Sequence, residues 1–278
     1  LYNFIPFVEE ILGVEFTLEP KIKEVKEKHV SDPNINEPFM DDLKKSFDAD
    51  RFSSEHNERL LHSHGQHSTD EVYKVLYNRL EYFTDLVFYI ESEEETVKLI
   101  DLAKRHNVCL IPYGGGTNVT NALRPPKEEK RMVVSVDTRR MAAVESVDEH
   151  NLMVTVGAGI TGKVLERELN KKGFTVGHEP DSYEFSTVGG WISTNAAGMK
   201  KHKYGNIEDI VQNLRMVTPK GVINQKKPLT RSSFGIKAQN ILFGSEGNLG
   251  IITSATLKVH RLPESSAYES IIFKDWDT

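Results

Sequence analysis

The chain has 278 residues, 38% of them hydrophobic, and a formal net charge of -6 spread through mixed-sign sequence. That is enough apolar content for one large domain or two smaller ones, and it excludes the broad basic surface that nucleic acid demands. The single cysteine, Cys109, excludes an internal disulfide framework and a cysteine-based zinc site.

Residues 1–80 are charged and broken by Pro20, Pro33 and Pro38, with short helical patches such as DDLKKSF and the histidine-rich stretch HSHGQH at His62 to His67. They read as a mostly helical N-terminal segment. Glu9 and Glu10 interrupt the apolar opening and no basic region precedes it, so a secretory signal is not expected. The start at Leu1 and the stop at Thr278 are read as those of a fragment or processed piece. LVFYI near residue 88 predicts a strand. Ser92 with Glu95 predicts a capping box opening a helix to about His106, with Val97, Ile100 and Ala103 facing inward. VCLIP predicts a strand running into Gly114, Gly115 and Gly116, and its Cys109 reads as a small buried hydrophobe rather than a reactive thiol. MVVSV and LMVTV predict two further strands, and TGKVLERELNKK a helix ending on Gly173. The apolar runs LRMVT, ILF, GIITSATLKVH and SIIF predict one more sheet-rich layer, with a boundary at Pro263.

Three successive glycines directly after a strand allow backbone N–H groups to approach an anion closely, and Thr117 and Asn118 add hydroxyl and amide donors. The absence of a following lysine excludes a P-loop; a tight structural turn is the plainer reading. A competing signal is GAGITG, Gly157 to Gly162, which matches G-x-G-x-x-G between a strand and a helix, with Glu179 and Asp181 about 20 residues on. Its alternatives are a dinucleotide site and an ordinary strand-to-helix turn. The segment EPDSYEFSTVGGWISTNAAG gathers Ser182, Ser186, Thr187, Ser193, Thr194 and Asn195 around Gly189, Gly190 and Gly198. Small hydroxyl residues with close-approach glycines suit a backbone wrapped around a polar, extended cofactor. GSEGNLG, Gly244 to Gly250, has the same character.

In this order, PYGGGTNVT, HEPDSYEFSTVGGWISTNAAGMKKHKYGNIEDIV and GSEGNLGIIT resemble the FAD-binding domain of the vanillyl-alcohol oxidase (PCMH) type. More narrowly, GHEPDS, STVGGW and GMKKHKYGNIEDIV resemble the alkyldihydroxyacetonephosphate synthase family, and the likeness runs from about residue 55 to the end. The resemblance implies an α+β fold. A mostly helical segment (1–80) precedes an FAD-binding domain of two α+β subdomains (81–262), and the start of a largely missing cap domain follows (263–278).

It implies FAD as cofactor, held non-covalently. Pro112, Tyr113, Gly114, Gly115, Gly116, Thr117 and Asn118 are expected at the diphosphate, and Asp181, Ser182, Tyr183, Glu184, Phe185, Ser186 and Thr187 on the flavin side. Thr194, Asn195, Ala196 and Ala197, with Glu246, Gly247, Asn248, Leu249, Gly250, Ile251 and Ile252, are expected to complete the bed. The implied enzyme is a transferase of ether-lipid biosynthesis. It exchanges the acyl group of acyl-dihydroxyacetonephosphate for a long-chain fatty alcohol through a covalent adduct at flavin N5. A homodimer with peripheral membrane association in the peroxisome or glycosome is implied as well. The family's proton-donating tyrosine, phosphate-binding arginine and histidine cluster belong to the cap.

His64 and Thr187 are the catalytic candidates within this sequence. The family carries a histidine pair around a glycine, and His64-Gly65 with His67 is similar, although Gln66 intrudes. A solvated or zinc-attracting surface is the alternative for His64, and a hydrogen bond to its own turn is the alternative for Thr187. No metal site is expected. The basic run Met199 to Lys203 suits a phosphate, a membrane surface or simply a solvated face. Arg231-Ser232-Ser233-Phe234-Gly235 departs from the family's pattern at Ile236 and Lys237. Two rival readings are a D-lactate or glycolate dehydrogenase of the same superfamily and a cofactor-free binding subunit.

Overall fold

The structure is a computed structural model that describes residues 4–16, 25, 27–225, 233, 235 and 238–277. The departure at residues 236 and 237 lies outside the described residues. No helix among the described residues is long and apolar enough to cross a membrane.

The leader contains α1 (Phe4–Leu12), α2 (Glu37–Ser46), the two-residue strand β1 (Phe52–Ser53), α3 (His56–Leu61) and α4 (Thr69–Leu76). Asn36 caps α2 by accepting from the Phe39 N–H, and its amide donates to the His106 carbonyl at 3.0 Å. β1 pairs antiparallel with β2 (Leu86–Tyr89), so the leader supplies an edge of the first sheet rather than ending before it. After β2 comes α5 (Glu93–His106), then β3 (Cys109–Tyr113) and β4 (Val133–Asp137). The sheet order is β1-β2-β4-β3, with β2, β4 and β3 parallel. Phe39 and Leu43 of α2 and Leu99 and Leu102 of α5 bury against Leu86, Phe88, Val134 and Val136.

Ser92 accepts from the Glu95 N–H at 3.1 Å, as the capping box predicts, but the Glu95 carboxylate accepts from Glu91 instead of Ser92. It is drawn there by Arg51, a buried cation that pairs with both Glu91 and Glu95. Cys109 is half-buried, and burial pushes its thiol pKa up, which keeps it protonated.

The second half holds β5 (Val144–Asp148), β6 (Met153–Gly157), α6 (Gly162–Asn170), β7 (Phe174–Thr175), α7 (Val188–Ser193), α8 (Lys201–Tyr204) and α9 (Ile207–Ile210). It continues with β8 (Val211–Thr218), β9 (Gly221–Asn224), β10 (Ile251–Lys258) and β11 (His260–Arg261). Its five-stranded sheet is antiparallel throughout, in the order β5-β6-β10-β8-β9. Leu165, Leu169, Trp191 and Ile192 pack on Val154, Val156, Leu214 and Leu257. Neither ILF nor SIIF forms a strand: Ile241 is the last residue of a 3-10 turn, and Ile271, Ile272 and Phe273 are exposed. β5 and β9 escape the sequence reading because their residues are largely exposed and polar or short.

Two subdomains of mixed helix and sheet therefore meet along a seam. Val217 and Ile251 of the second sheet complete the core of the first. Glu93 at the start of α5 takes Arg215 of β8 and the Thr253 hydroxyl of β10. The strand-to-glycine junction opens onto this seam.

Candidate functional site

At the seam lies a cavity of about 380 Å3, within the range of small-molecule and cofactor sites. The end of β3 delivers Pro112 to Thr120 from the first subdomain. The second contributes Asp181, Ser186, Thr187, Thr194, Ala196, Ala197, Glu246, Gly247, Gly250, Ile251 and Ile252. All four sequence segments thus reach one space.

Glycine is required at the junction for steric reasons. A Cβ on Gly115 would overlap the Phe185 carbonyl oxygen and stand 2.7 Å from its carbon, and one on Gly114 would overlap the Thr187 hydroxyl. Gly116 has φ +70° and Gly247 φ +84°, both left-handed. Among the described residues, the backbone N–H groups of Gly114 to Asn118 find no acceptor within the chain. Five neighbouring free donors at a strand end suit an anion, and two acids but no Lys or Arg line the cavity. Neutral N–H groups are what the site offers a diphosphate. The Asn118 amide is used differently from expectation: its Oδ1 accepts from Thr120 and Ala122, and its Nδ2 donates to the Thr120 hydroxyl. It shapes its own loop. The Thr120 hydroxyl then donates to Glu246 at 3.0 Å, tying two walls together.

Thr187 lines the cavity while its hydroxyl oxygen caps α7 by accepting from the Gly190 N–H at 3.2 Å. The alternative reading, a hydrogen bond to its own turn, is what the structure shows. Ser182, Tyr183, Glu184 and Phe185 stand outside the lining: Ser182 turns with φ +59°, the Tyr183 carbonyl accepts from Lys163, and Phe185 is exposed. Asn195 is likewise outside, whereas Asn248 and Leu249 face an adjoining cavity that shares Pro112, Gly247, Gly250 and Ile251.

His64 is buried, does not line the cavity, and sets its Nδ1 against the Gly65 carbonyl at 2.9 Å. No group of three or more His, Cys, Asp or Glu among the described residues is placed to hold a metal ion. Lys200 pairs with Glu179, while Met199, Lys201 and His202 are exposed, as a solvated face would be.

The GAGITG segment serves packing. β6 runs antiparallel to both neighbours, so the parallel βαβ unit of a dinucleotide fold is absent there. Side chains on Gly157 and Gly159 would overlap the carbonyls of Met141 and Thr138. These glycines let the strand-to-helix turn press onto the 138–141 loop.

Thr138, Leu123, Pro180 and Trp191 also line the cavity and escape the sequence reading. Trp191 had a legible signal in STVGGW, and its indole donates to the Ser186 hydroxyl at 2.8 Å. Beside it, edge-on at 5.1 Å, lies His178, buried with neither ring nitrogen partnered. Burial pushes its pKa down to about 4, below the usual 6.5. A depressed histidine pKa contributes stability fully present above pH 6.5 and lost as pH falls through about 4. Full protonation is therefore expected to cost about 3 kcal/mol. Urea unfolding at a series of pH values checks this: the difference between wild type and His178→Gln should change between pH 6.5 and 4, and a flat difference refutes it.

A family model described as "FAD binding domain" matches residues 84–225, just over half of the chain. The chain belongs to the FAD-binding domain family. The free N–H cradle and the glycine contacts fit the cofactor of that family, so FAD is its cofactor. An alkyldihydroxyacetonephosphate synthase of Caenorhabditis elegans is 41% identical over 276 residues, covering 99% of this FAD-binding chain and 46% of the relative. A solved alkyldihydroxyacetonephosphate synthase structure superposes with a TM-score of 0.83 at 36% identity, covering 94% of this chain and 49% of the other. The mitochondrial D-lactate dehydrogenase [cytochrome] of Arabidopsis thaliana is 27% identical over 223 residues, covering 80% of this chain and 37% of its own length. The FAD-binding chain thus spans less than half the length of the curated relatives it matches.

Proposed function

We propose that this chain supplies the FAD-binding half of an alkyldihydroxyacetonephosphate synthase, which exchanges the acyl group of acyl-dihydroxyacetonephosphate for a long-chain fatty alcohol. The observation that carries this reading is the extent of the likeness. The 41% identity spans 99% of the chain, leader included, whereas the family model begins at residue 84 and the dehydrogenase is similar at only 27%. In this reading the N–H groups of Gly114 to Asn118 hold the diphosphate. Asp181, Ser186 and Thr187 border the flavin end, and Thr194, Ala196 and Ala197 with Glu246, Gly247, Gly250, Ile251 and Ile252 close the bed. Bound FAD supplies a nucleophilic flavin nitrogen. Thr187 keeps its hydroxyl proton available to the cavity, because its oxygen acts as an acceptor toward Gly190. The leader brings an exposed apolar helix, α1, with Phe4, Ile5, Phe7, Ile11 and Leu12 open to solvent. Peripheral membrane attachment, a homodimer and residence in the peroxisome or glycosome belong to the same proposal.

The test uses the complete protein with acyl-dihydroxyacetonephosphate and a labelled fatty alcohol. Release of fatty acid with label in an alkyl ether supports the synthase. Oxidation of D-lactate or glycolate with a dye acceptor, without ether product, overturns it in favour of the dehydrogenase.

A further inference from the structure

The histidine-rich stretch His62 to His67 forms no part of the cavity lining, yet four of its six residues touch a wall from outside. The His62 Nε2 meets Asp137 Oδ2 at 2.9 Å, and its ring lies 4.3 Å from that of Tyr113, tilted by 49°; Tyr113 lines the cavity. Gly65 presses so closely on the Asn118 carbonyl that a Cβ would overlap it. The Gln66 N–H donates to the Gly116 carbonyl at 2.6 Å. His67 Nδ1 meets the Ser182 hydroxyl at 2.8 Å. One short segment is thereby bonded both to the glycine loop and to the 181–187 segment, which approach the cavity from different subdomains.

Its own position is fixed from behind. The Gly65 N–H donates to Glu71 of α4 at 3.0 Å, and Glu71, fully buried, lies 3.4 Å from Arg124. The Ser63 hydroxyl accepts from the Thr84 N–H at 2.8 Å, at the entry to β2. The walls it touches need such support. Gly116 and Ser182 both adopt left-handed φ, and the 181–187 segment is bridged at Thr187 to Thr161 rather than to the glycine loop, so no strand pairing sets the distance between the two loops. Donors that must converge on one anion lose strength steeply with misplacement.

We infer that residues 62–67 are a bracket that sets the spacing of the two loops, which makes His62, Gly65, Gln66 and His67 positioning residues for FAD. This rests on the FAD reading of the cavity. It also gives the histidines a role that is neither proton transfer nor metal binding.

The experiment titrates FAD into the complete apo-protein by flavin fluorescence and records apo-protein melting alongside. His67→Ala, at the exposed rim, and Gly65→Ala are each expected to raise the FAD dissociation constant about 10-fold, with faster flavin release. Asn36→Ala, which removes the α2 cap far from the cavity, is expected to lower the melting midpoint and leave the dissociation constant unchanged. If His67→Ala binds FAD as wild type does, or if Asn36→Ala weakens FAD as much, the segment is ordinary scaffold and the bracket is overturned. Should Gly65→Ala fail to fold, His67→Ala alone decides. A wild-type protein that binds no FAD refutes the cofactor reading itself, and the bracket with it.

Discussion

Replacing Gly115 with alanine is expected to weaken FAD binding by roughly 10- to 100-fold, because overpacking of this kind costs about 1–3 kcal/mol and 1.4 kcal/mol is a factor of ten. The added Cβ meets the Phe185 carbonyl oxygen, stands 2.7 Å from its carbon and reaches 3.0 Å from Ser186 Cα. All three atoms are backbone, so no side chain can rotate away. Either the glycine loop or the 185–187 segment must shift, and the free N–H groups beside them move with it. Gly173→Ala is the comparison: its φ of +78° is strained for alanine, but nothing stands within 4 Å of the new methyl and the site is remote from the lining. It should cost about 1 kcal/mol of stability and leave FAD affinity untouched. Fluorescence titration of both variants checks the pair. Equal affinity for Gly115→Ala and wild type would sink the argument.

The glycine-rich loops were legible because their composition is unlike that of a core strand. Three glycines after VCLIP, and hydroxyl residues spaced around Gly189 and Gly190, had no use in an apolar layer, and the structure brings both segments to one cavity. GAGITG was ambiguous for a physical reason. Close backbone approach demands glycine whether the neighbour is a pyrophosphate or the Thr138 carbonyl, and only the antiparallel pairing of β6 separates the two. Pairing direction is a tertiary fact. The same limit hid His62, which follows α3: its partner Asp137 is 75 positions away, at the end of β4. A histidine among histidines offers no sign of which one is paired. His64 stood out by its neighbour Gly65, although it is His62 that holds the buried carboxylate. Trp191 shows the converse, since an aromatic beside small residues reads as core and here it is both core and cavity wall.

Asp137→Ala is expected to destabilise the protein by about 3 kcal/mol at pH 7, the lower end of the range for breaking a buried charged pair. The carboxylate is fully buried at the end of β4, where it meets His62 Nε2 at 2.9 Å and the Arg139 backbone N–H at 2.8 Å, with the Arg139 guanidinium also in contact. Removing it strands a buried imidazole, while Arg139, 42% exposed, recovers part of its loss from water. That recovery keeps the expected cost from being larger. Burial alone would push the Asp137 pKa up, but the hydrogen bonds from His62 and Arg139 outweigh it and hold the carboxyl below its usual 3.8. A depressed carboxyl pKa contributes stability that is full above about pH 4 and disappears as pH falls through the folded value. Wild type and Asp137→Ala should therefore differ most near neutrality and converge in acid, a pattern urea unfolding at pH 7 and pH 3 can read. A difference that persists undiminished at pH 3 would assign the cost to packing rather than charge. Because His62 packs against Tyr113, and Tyr113 leads into the free N–H groups, the same variant should also loosen FAD at pH 7. Loss of stability without loss of affinity would detach this buried pair from the cofactor site.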